Sequence, residues 1–559
     1  MGSHPAVGRQ RRSLLQAAAA WPLASALGGC GRPDLPPLSG GWVGASVGRG
    51  HRLHEALPSA TAATPRRASV LIVGAGVAGL AAARGFLHQG VDDVHVLDLE
   101  DGPGGNSRSH RIAGMACPLG AHYLPLPGES AHEVNEWLHE IGLLRSEFGR
   151  TVADERHLCH SPQERLFVDG QWHEGLLPPA DPASATLRQY RRFAALVSAA
   201  PRFVIPTHRA PWTEAHAELD RVTFAAWLDA QGLDDPRLRW YLDYCCRDDY
   251  GAGADTVSAW AGLHYFASRH GFHAPGDAEA ERDPVFTWPE GNAWLVQRLA
   301  AELDGDGAGA APDPAGQRPG RRDLNAAASG GRMHGGRVVR RVRELRDGVE
   351  VLASHGDAVE LWRAGTVVLA VPLFIAARLL EQSPDALVAA ARALPSAPWL
   401  VANLHIDRPL VDRPGAPPSW DNVGYGSRGL GYVDAMHQSL RPRTGPAGAT
   451  VLTFYASVPV AERPRLLADD WTAWAARVLD DLAGVHPDLR GRVQRIDLMR
   501  YGHAMAVPVP RLRSHAGLAA LRGGSGRIRF AHADLAGYSI FEEAFTAGLD
   551  AARAPCRCG

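Results

Sequence analysis

Short apolar runs and helical spacings alternate at both ends of this chain, and that alternation predicts its organisation. Ser69-Val70-Leu71-Ile72-Val73 is a compact apolar run of strand type, and Val77 to Gln89 follows with helical character. Val94-His95-Val96-Leu97-Asp98 is a second short run. Strand, glycine turn, helix and strand make a βαβ unit, which implies a parallel sheet. Residues 130–270 read mainly as helices, with apolar residues three and four apart, as in Val134-Trp137-Leu138-Ile141 and Phe224-Trp227-Leu228. Further on, 337–342, 349–352 and 366–372 predict short strands, the last ending at Pro372. Residues 373–519 mix strands (399–406, 451–457) with a helix around Trp471 and Trp474, and 527–531 predicts a strand leading into a helix from about Ser539 to Ala552.

Two stretches break the pattern. From Gly31 to Arg66 the chain is rich in Pro, Gly, Ser and Ala and reads as a linker, and 304–336 collapses into Gly, Ala, Pro and Asp and reads as a disordered insertion. The amino terminus carries paired arginines, Arg11-Arg12, before an apolar stretch ending near Leu27. That stretch is shorter than the ~20 residues of a spanning helix, so residues 1–30 predict an export signal of twin-arginine type. Leu27-Gly28-Gly29-Cys30 is similar to a lipobox with Cys30 as the lipidated residue. The expected location is therefore periplasmic, with a possible lipid anchor.

Composition adds one exclusion and one oddity. A net charge of −2 gives no footprint for nucleic acid. The chain contains no lysine, so all 58 basic residues are arginine. Its seven cysteines show neither zinc spacing nor a disulfide framework, and no metal is expected.

The chemistry begins at Gly74-Ala75-Gly76-Val77-Ala78-Gly79. A diphosphate needs backbone N–H groups aimed at it with no side chain in the way. Gly74 permits the turn, Gly76 lets the backbone approach and Gly79 lets the helix pack on the strand. Asp98 is placed to hold the adenosine ribose, with Glu100 as runner-up. The following Gly104-Gly105-Asn106-Ser107 resembles the second signature of glutathione-reductase-type flavoproteins, which selects FAD as the cofactor. The expected fold is α/β. A Rossmann-like FAD-binding domain (67–129, 285–372 and 520–555) is interleaved with a mixed helical and sheet substrate domain (130–284 and 373–519).

Several segments in order resemble the flavin-containing amine oxidase family: VLIVGAGVAGLAAARGF, VLDLEDGPGGNSRSH, CPLGAHYLP, FTWPEGNAWLVQRLA, VVLAVPLFIAARLL and RIRFAHADLAGYSIFEEAFTAGLDAA. The resemblance implies an adenine contact from the backbone of Val339 and a ribityl or pyrophosphate contact from Asp534. It also implies a helix start at Ser539 and Ile540 facing the pyrimidine edge of the flavin. Phe530-Ala531-His532-Ala533-Asp534 departs from the family's usual spacing by a residue. For catalysis, the candidates are His122, Tyr123, His264, Tyr265 and His503, with Trp260 and Tyr501 as further walls; the alternative for each is a core aromatic or a satisfied buried histidine. Asp248 and Asp249 are candidates to receive a cationic amine. Many relatives place a lysine near flavin N5 to assist reaction with oxygen, and this chain has none, so the acceptor stays open among oxygen, a quinone and a cytochrome. The leading expectation is an exported FAD-dependent amine oxidoreductase, with polyamines among its expected substrates. The alternatives are a desaturase or isomerase of apolar substrates and a flavin-bearing binding protein with little turnover.

Overall fold

The computed structural model describes residues 38–56, 65–269, 271–276, 284–303, 331–439, 448–522 and 526–554. The expected export signal, Cys30, the core of the expected insertion at 304–330, and Cys556 and Cys558 lie outside the described residues.

Two sheets carry the architecture. In the first, the strand Ala358–Leu369 is the hub. Its register runs parallel to Arg66–Val73, which is parallel to Val94–Leu97 and then to Met333–His334. On its other edge it pairs first with Gly348–His355, antiparallel, and then at its end with Ile528–Phe530, parallel. Val338–Leu345 completes the sheet beyond Gly348–His355. Strands buried on both faces explain the apolar runs read in the sequence: Val70, Leu71, Ile72 and Val73 are all at most 5% exposed.

The helix Val77–His88 packs across this sheet against the last helix, Phe541–Arg553. Small residues set the distance between them. A Cβ on Gly548 would lie 2.2 Å from the Ala78 carbonyl oxygen, and one on Gly85 would lie 2.7 Å from Ala552 Cβ. This close crossing brings two helix N-termini, at Gly76 and Ile540, to one place.

The second sheet has eight strands, in spatial order Gly40–Trp42, Val493–Ala506, Ser396–Ile406, Thr450–Ser457, Tyr432–Asp434, Asp421–Gly424, Glu164–Val168 and Gln171–Glu174. Helices from 185–267 pack with it around an aromatic core that includes Tyr190, Phe193, Phe224 and Tyr250. Among the described residues, no helix is long and apolar enough to cross a membrane.

Three expectations need correcting. The linker read at 31–66 is built structure over 39–56: Gly40–Trp42 pairs with the long strand Val493–Ala506, and Val47–His51 is helical. Its glycines serve close approach rather than flexibility, since a Cβ on Gly40 would lie 1.7 Å from the Ile496 carbonyl oxygen. Second, 331–336 is not disordered, because Met333–His334 forms the edge of the first sheet. Third, 130–270 is not all helical. Hairpins 144–153 and 164–174 turn at Phe148-Gly149 and Asp169-Gly170, where both residues of each pair have positive φ. That is the mirror-image turn that matches strand twist.

Candidate functional site

One cavity of about 500 Å³ runs from the glycine turns to the helical region, and both helix N-termini open onto it. Gly74 has φ of +104°, and a Cβ there would strike the Ala370 carbonyl oxygen at 2.3 Å. Gly79 is closed as tightly, with Gly74 O only 1.9 Å from a built Cβ. Gly76 differs, because its Cβ would meet nothing nearer than Gly105 Cα at 3.8 Å. The first and second glycine turns are in direct contact, with Gly104 N donating to Ala75 O at 2.9 Å, and together they present a stretch of cavity wall free of side chains.

The acids follow. Asp98 is buried and accepts from Ala75 N at 2.7 Å and Glu100 N at 2.8 Å. Burial raises its pKa, against Arg108 and these two N–H groups. Glu100 accepts from Ser46 N at 2.7 Å, so the segment 39–56 closes this end of the cavity. Arg108 lies 3.5 Å from Asp98 and 3.8 Å from Glu100, lines the cavity, and has no partner for its buried Nε among the described residues. The Asn292 side-chain oxygen is likewise buried, on the cavity and without a partner there, while its amide donates to Tyr123 O at 2.8 Å. Side-chain-free glycine turns beside a helix N-terminus and two orphaned polar atoms on the cavity lining fit FAD, and Arg108 and Asn292 are cavity-lining residues that the motif reading missed.

At the other end, Asp534 accepts from Leu373 N at 2.9 Å. Its burial works to raise the pKa, yet His532 and the Leu373 N–H together leave it lowered. Ser539 Oγ accepts from Ala506 N at 3.1 Å, and Ile540 caps the helix Phe541–Arg553 over the cavity.

Beyond lies an aromatic chamber. His122 stacks on Tyr455 with ring centroids 4.2 Å apart and packs against Tyr123 and Trp420. Burial lowers its pKa to about 3, so it is a neutral wall at physiological pH. Asp248, Asp249, Arg269 and Glu542 share the same lining. Asp248 is raised to about 7, by burial and then by the charge of Asp249. Burial also raises Asp249 and Glu542, against Arg269, whose Nη2 lies 3.8 Å from Asp249.

Of the residues named from sequence, the cavity gathers Gly74, Gly76, Val77, Ala78, Asp98, Gly104, Gly105, Asn106, Ser107, Asp534, Ser539 and Ile540, and also His122, Tyr123, Tyr501 and His503. It leaves out four. Gly79 packs against the turn beneath. Val339 is paired with Ala353, and its side chain packs in the apolar core. His264 is 1% exposed, stacks on Trp260 at 4.8 Å, and bonds Tyr250 and Tyr538, so it is a satisfied core histidine. Tyr265 sits behind the chamber beside Cys245 and Tyr241. Among the described residues no cluster suits a metal, and Cys117, Cys159, Cys245 and Cys246 are free.

The family model for flavin-containing amine oxidoreductases matches residues 77–554. AofH of Mycobacterium tuberculosis, named for flavin-containing monoamine oxidase activity, is 28% identical over 317 residues, which is 55% of this chain and 58% of that protein. The chain thus spans little more than half the length of that relative. Putrescine oxidase bound to putrescine superposes with a TM-score of 0.60 at 18% identity, over 88% of this chain and 99% of that one. A fatty acid isomerase from P. acnes gives 0.56 at 15% identity, over 86% and 97%. At such identities these structures establish the fold alone. The match over most of its length settles the rest: this chain belongs to the flavin-containing amine oxidoreductase family, which is FAD-dependent.

Proposed function

We propose that the chain oxidises a cationic amine, and that Asp248, Asp249 and Glu542 receive it. The observation that carries this reading is the charge of the chamber: three carboxylates share an aromatic cavity with Arg269. Asp248 and Asp249 also end the helix Pro236–Tyr250, where the backbone already presents partial negative charge. Carboxylates there are disfavoured until a cation arrives. A diamine suits this excess of acid better than a monoamine.

Bound flavin supplies the acceptor for a hydride equivalent leaving the carbon beside nitrogen. The chain's own residues do the rest. Tyr123, Tyr455 and Trp399 exclude water and orient the carbon, while Asp248, near neutrality, is poised to take the ammonium proton. A continuous apolar tunnel, as a desaturase or isomerase would need, does not fit three carboxylates on the wall.

The test is anaerobic addition of monoamines, diamines, polyamines, amino acids and a fatty acid, reading loss of the ~450 nm flavin band. Bleaching by diamines or polyamines is expected. Bleaching by the fatty acid alone, or by nothing, overturns the reading. We further propose export by the twin-arginine route with a lipid on Cys30, supported by Arg11-Arg12 and Leu27-Gly28-Gly29-Cys30. Radiolabelled palmitate incorporation that is lost in Cys30→Ala checks it.

A further inference from the structure

The cavity reaches the surface at His503, which is exposed and part of its lining. Its Nδ1 lies 2.7 Å from Ser396 Oγ and its ring 4.7 Å from that of Phe374. Two arginines, Arg463 and Arg378, bring positive charge to this mouth, with His51 and His54 beside them. Arg463 donates to Gly502 O at 2.7 Å and to Ser396 O, so carbonyls hold its guanidinium and leave its charge uncompensated. Exposed Arg378 donates to His54 at 3.1 Å, and His51 stands beside His54 with rings 6.3 Å apart. Arg463, Arg378 and His51 all act to lower the His503 pKa. The nearby acids are engaged elsewhere, Glu462 by Arg477 at 2.9 Å and Glu55 by Arg52 at 3.3 Å. Partial covering of its ring, then these neighbours, lowers His503 to about 4, so His503 itself is neutral near pH 7 and Arg463 and Arg378 carry the positive charge.

The cavity is therefore polarised: carboxylates line its inner chamber, and two arginines, Arg378 and Arg463, flank this opening. A cationic amine gains nothing at the His503 mouth, whereas an anion is drawn to it. We propose that this mouth is where an anionic one-electron acceptor docks to reoxidise the enzyme. The balance is simple. Each two-electron oxidation of substrate is followed by two equivalents of acceptor, each taking one electron, with the proton released to solvent. Cation-lined clefts of this kind raise anion encounter rates by roughly tenfold to a thousandfold at low salt.

The test uses the FAD-loaded enzyme reduced by light, so its outcome does not depend on the amine reading. Reoxidation by hexacyanoferrate(III) and by hexaammineruthenium(III) is followed by stopped flow from low to high salt. The expected result is opposite slopes. The anionic oxidant should slow about tenfold as salt rises over the range where the screening length falls below 10 Å, and the cationic one should speed up. Arg378→Glu should cut the hexacyanoferrate rate about tenfold at low salt, Arg378→Lys should restore it, and neither should change the rate with oxygen. Calorimetric binding of hexacyanoferrate(II), which transfers no electron to oxidised enzyme, should weaken in parallel in Arg378→Glu. Equal salt slopes for the two oxidants, or an Arg378→Glu enzyme indistinguishable from wild type in both rate and binding, overturns the proposal.

Discussion

Gly76 and Gly79 belong to the same turn and do opposite jobs. A side chain at 79 collides with the backbone of Gly74, whereas a Cβ at 76 meets nothing nearer than Gly105 Cα at 3.8 Å, on the cavity wall. Gly79→Ala is therefore expected to destabilise the apoprotein by about 1–3 kcal/mol, as overpacked sites do, seen as a lower midpoint in urea. Gly76→Val should leave that midpoint in place and abolish FAD retention, read as the flavin-to-protein absorbance ratio after reconstitution. If both variants lose stability alike, the face at Gly76 is packing rather than a cofactor cradle. Asp248 gives a second residue-level prediction. Burial, then Asp249, raises its pKa to about 7, so it is protonated below that pH and ionised above it. A permanently charged probe such as tetramethylammonium should bind about tenfold tighter per pH unit between pH 5 and 7, then level off, since one proton is displaced. Asp248→Asn should flatten the profile, and a flat profile in the wild type would exclude Asp248 as the cation's partner.

Among the elements, what the sequence revealed follows how local each signal is. The strand-turn-helix at 66–88, Asp98 and the Gly104-Gly105 pair are contiguous, and backbone geometry there depends on neighbours, so they could be read directly. Glu542 could not. In the first turn of the last helix it passes for a favourable dipole partner, and only the fold turns it into a wall of the chamber at 3% exposure. Arg108 and Asn292 were missed because their significance lies in lacking partners, which no pattern of residue types records. The segment 39–56 was misread because its glycines look like flexibility. It ties the edge of the second sheet to Glu100 at the Asp98 end of the cavity. Gly40→Val, which would force a side chain into the Ile496 carbonyl, should release this strap. FAD dissociation, followed by fluorescence recovery on dilution, is expected to quicken about tenfold or more while the bulk unfolding transition shifts little. Unchanged dissociation would show that the strap does not retain the cofactor.

At the scale of the whole molecule, the chain's 58 basic residues are all arginine, so no amine of readily adjustable charge exists inside it. Arginine stays charged under all ordinary conditions, whereas a buried lysine can lose its proton and shift its pKa freely. The guanidinium groups that line the cavity, Arg108 and Arg269, are each turned toward carboxylates: Asp98 and Glu100 in one case, Asp249 in the other. Neither is free to serve as a lone positive centre for oxygen reduction, which is the role the family's lysine fills through a water. The consequence is kinetic. Flavin reduced by light in the absence of amine should reoxidise slowly in air-saturated buffer, and mixing with hexacyanoferrate(III) should restore the ~450 nm band many times faster. The comparison needs only one rapid-mixing experiment on one preparation. If oxygen restores the band as fast as the artificial acceptor does, then an arginine-only protein activates oxygen without the missing group, and the chain works as an oxidase.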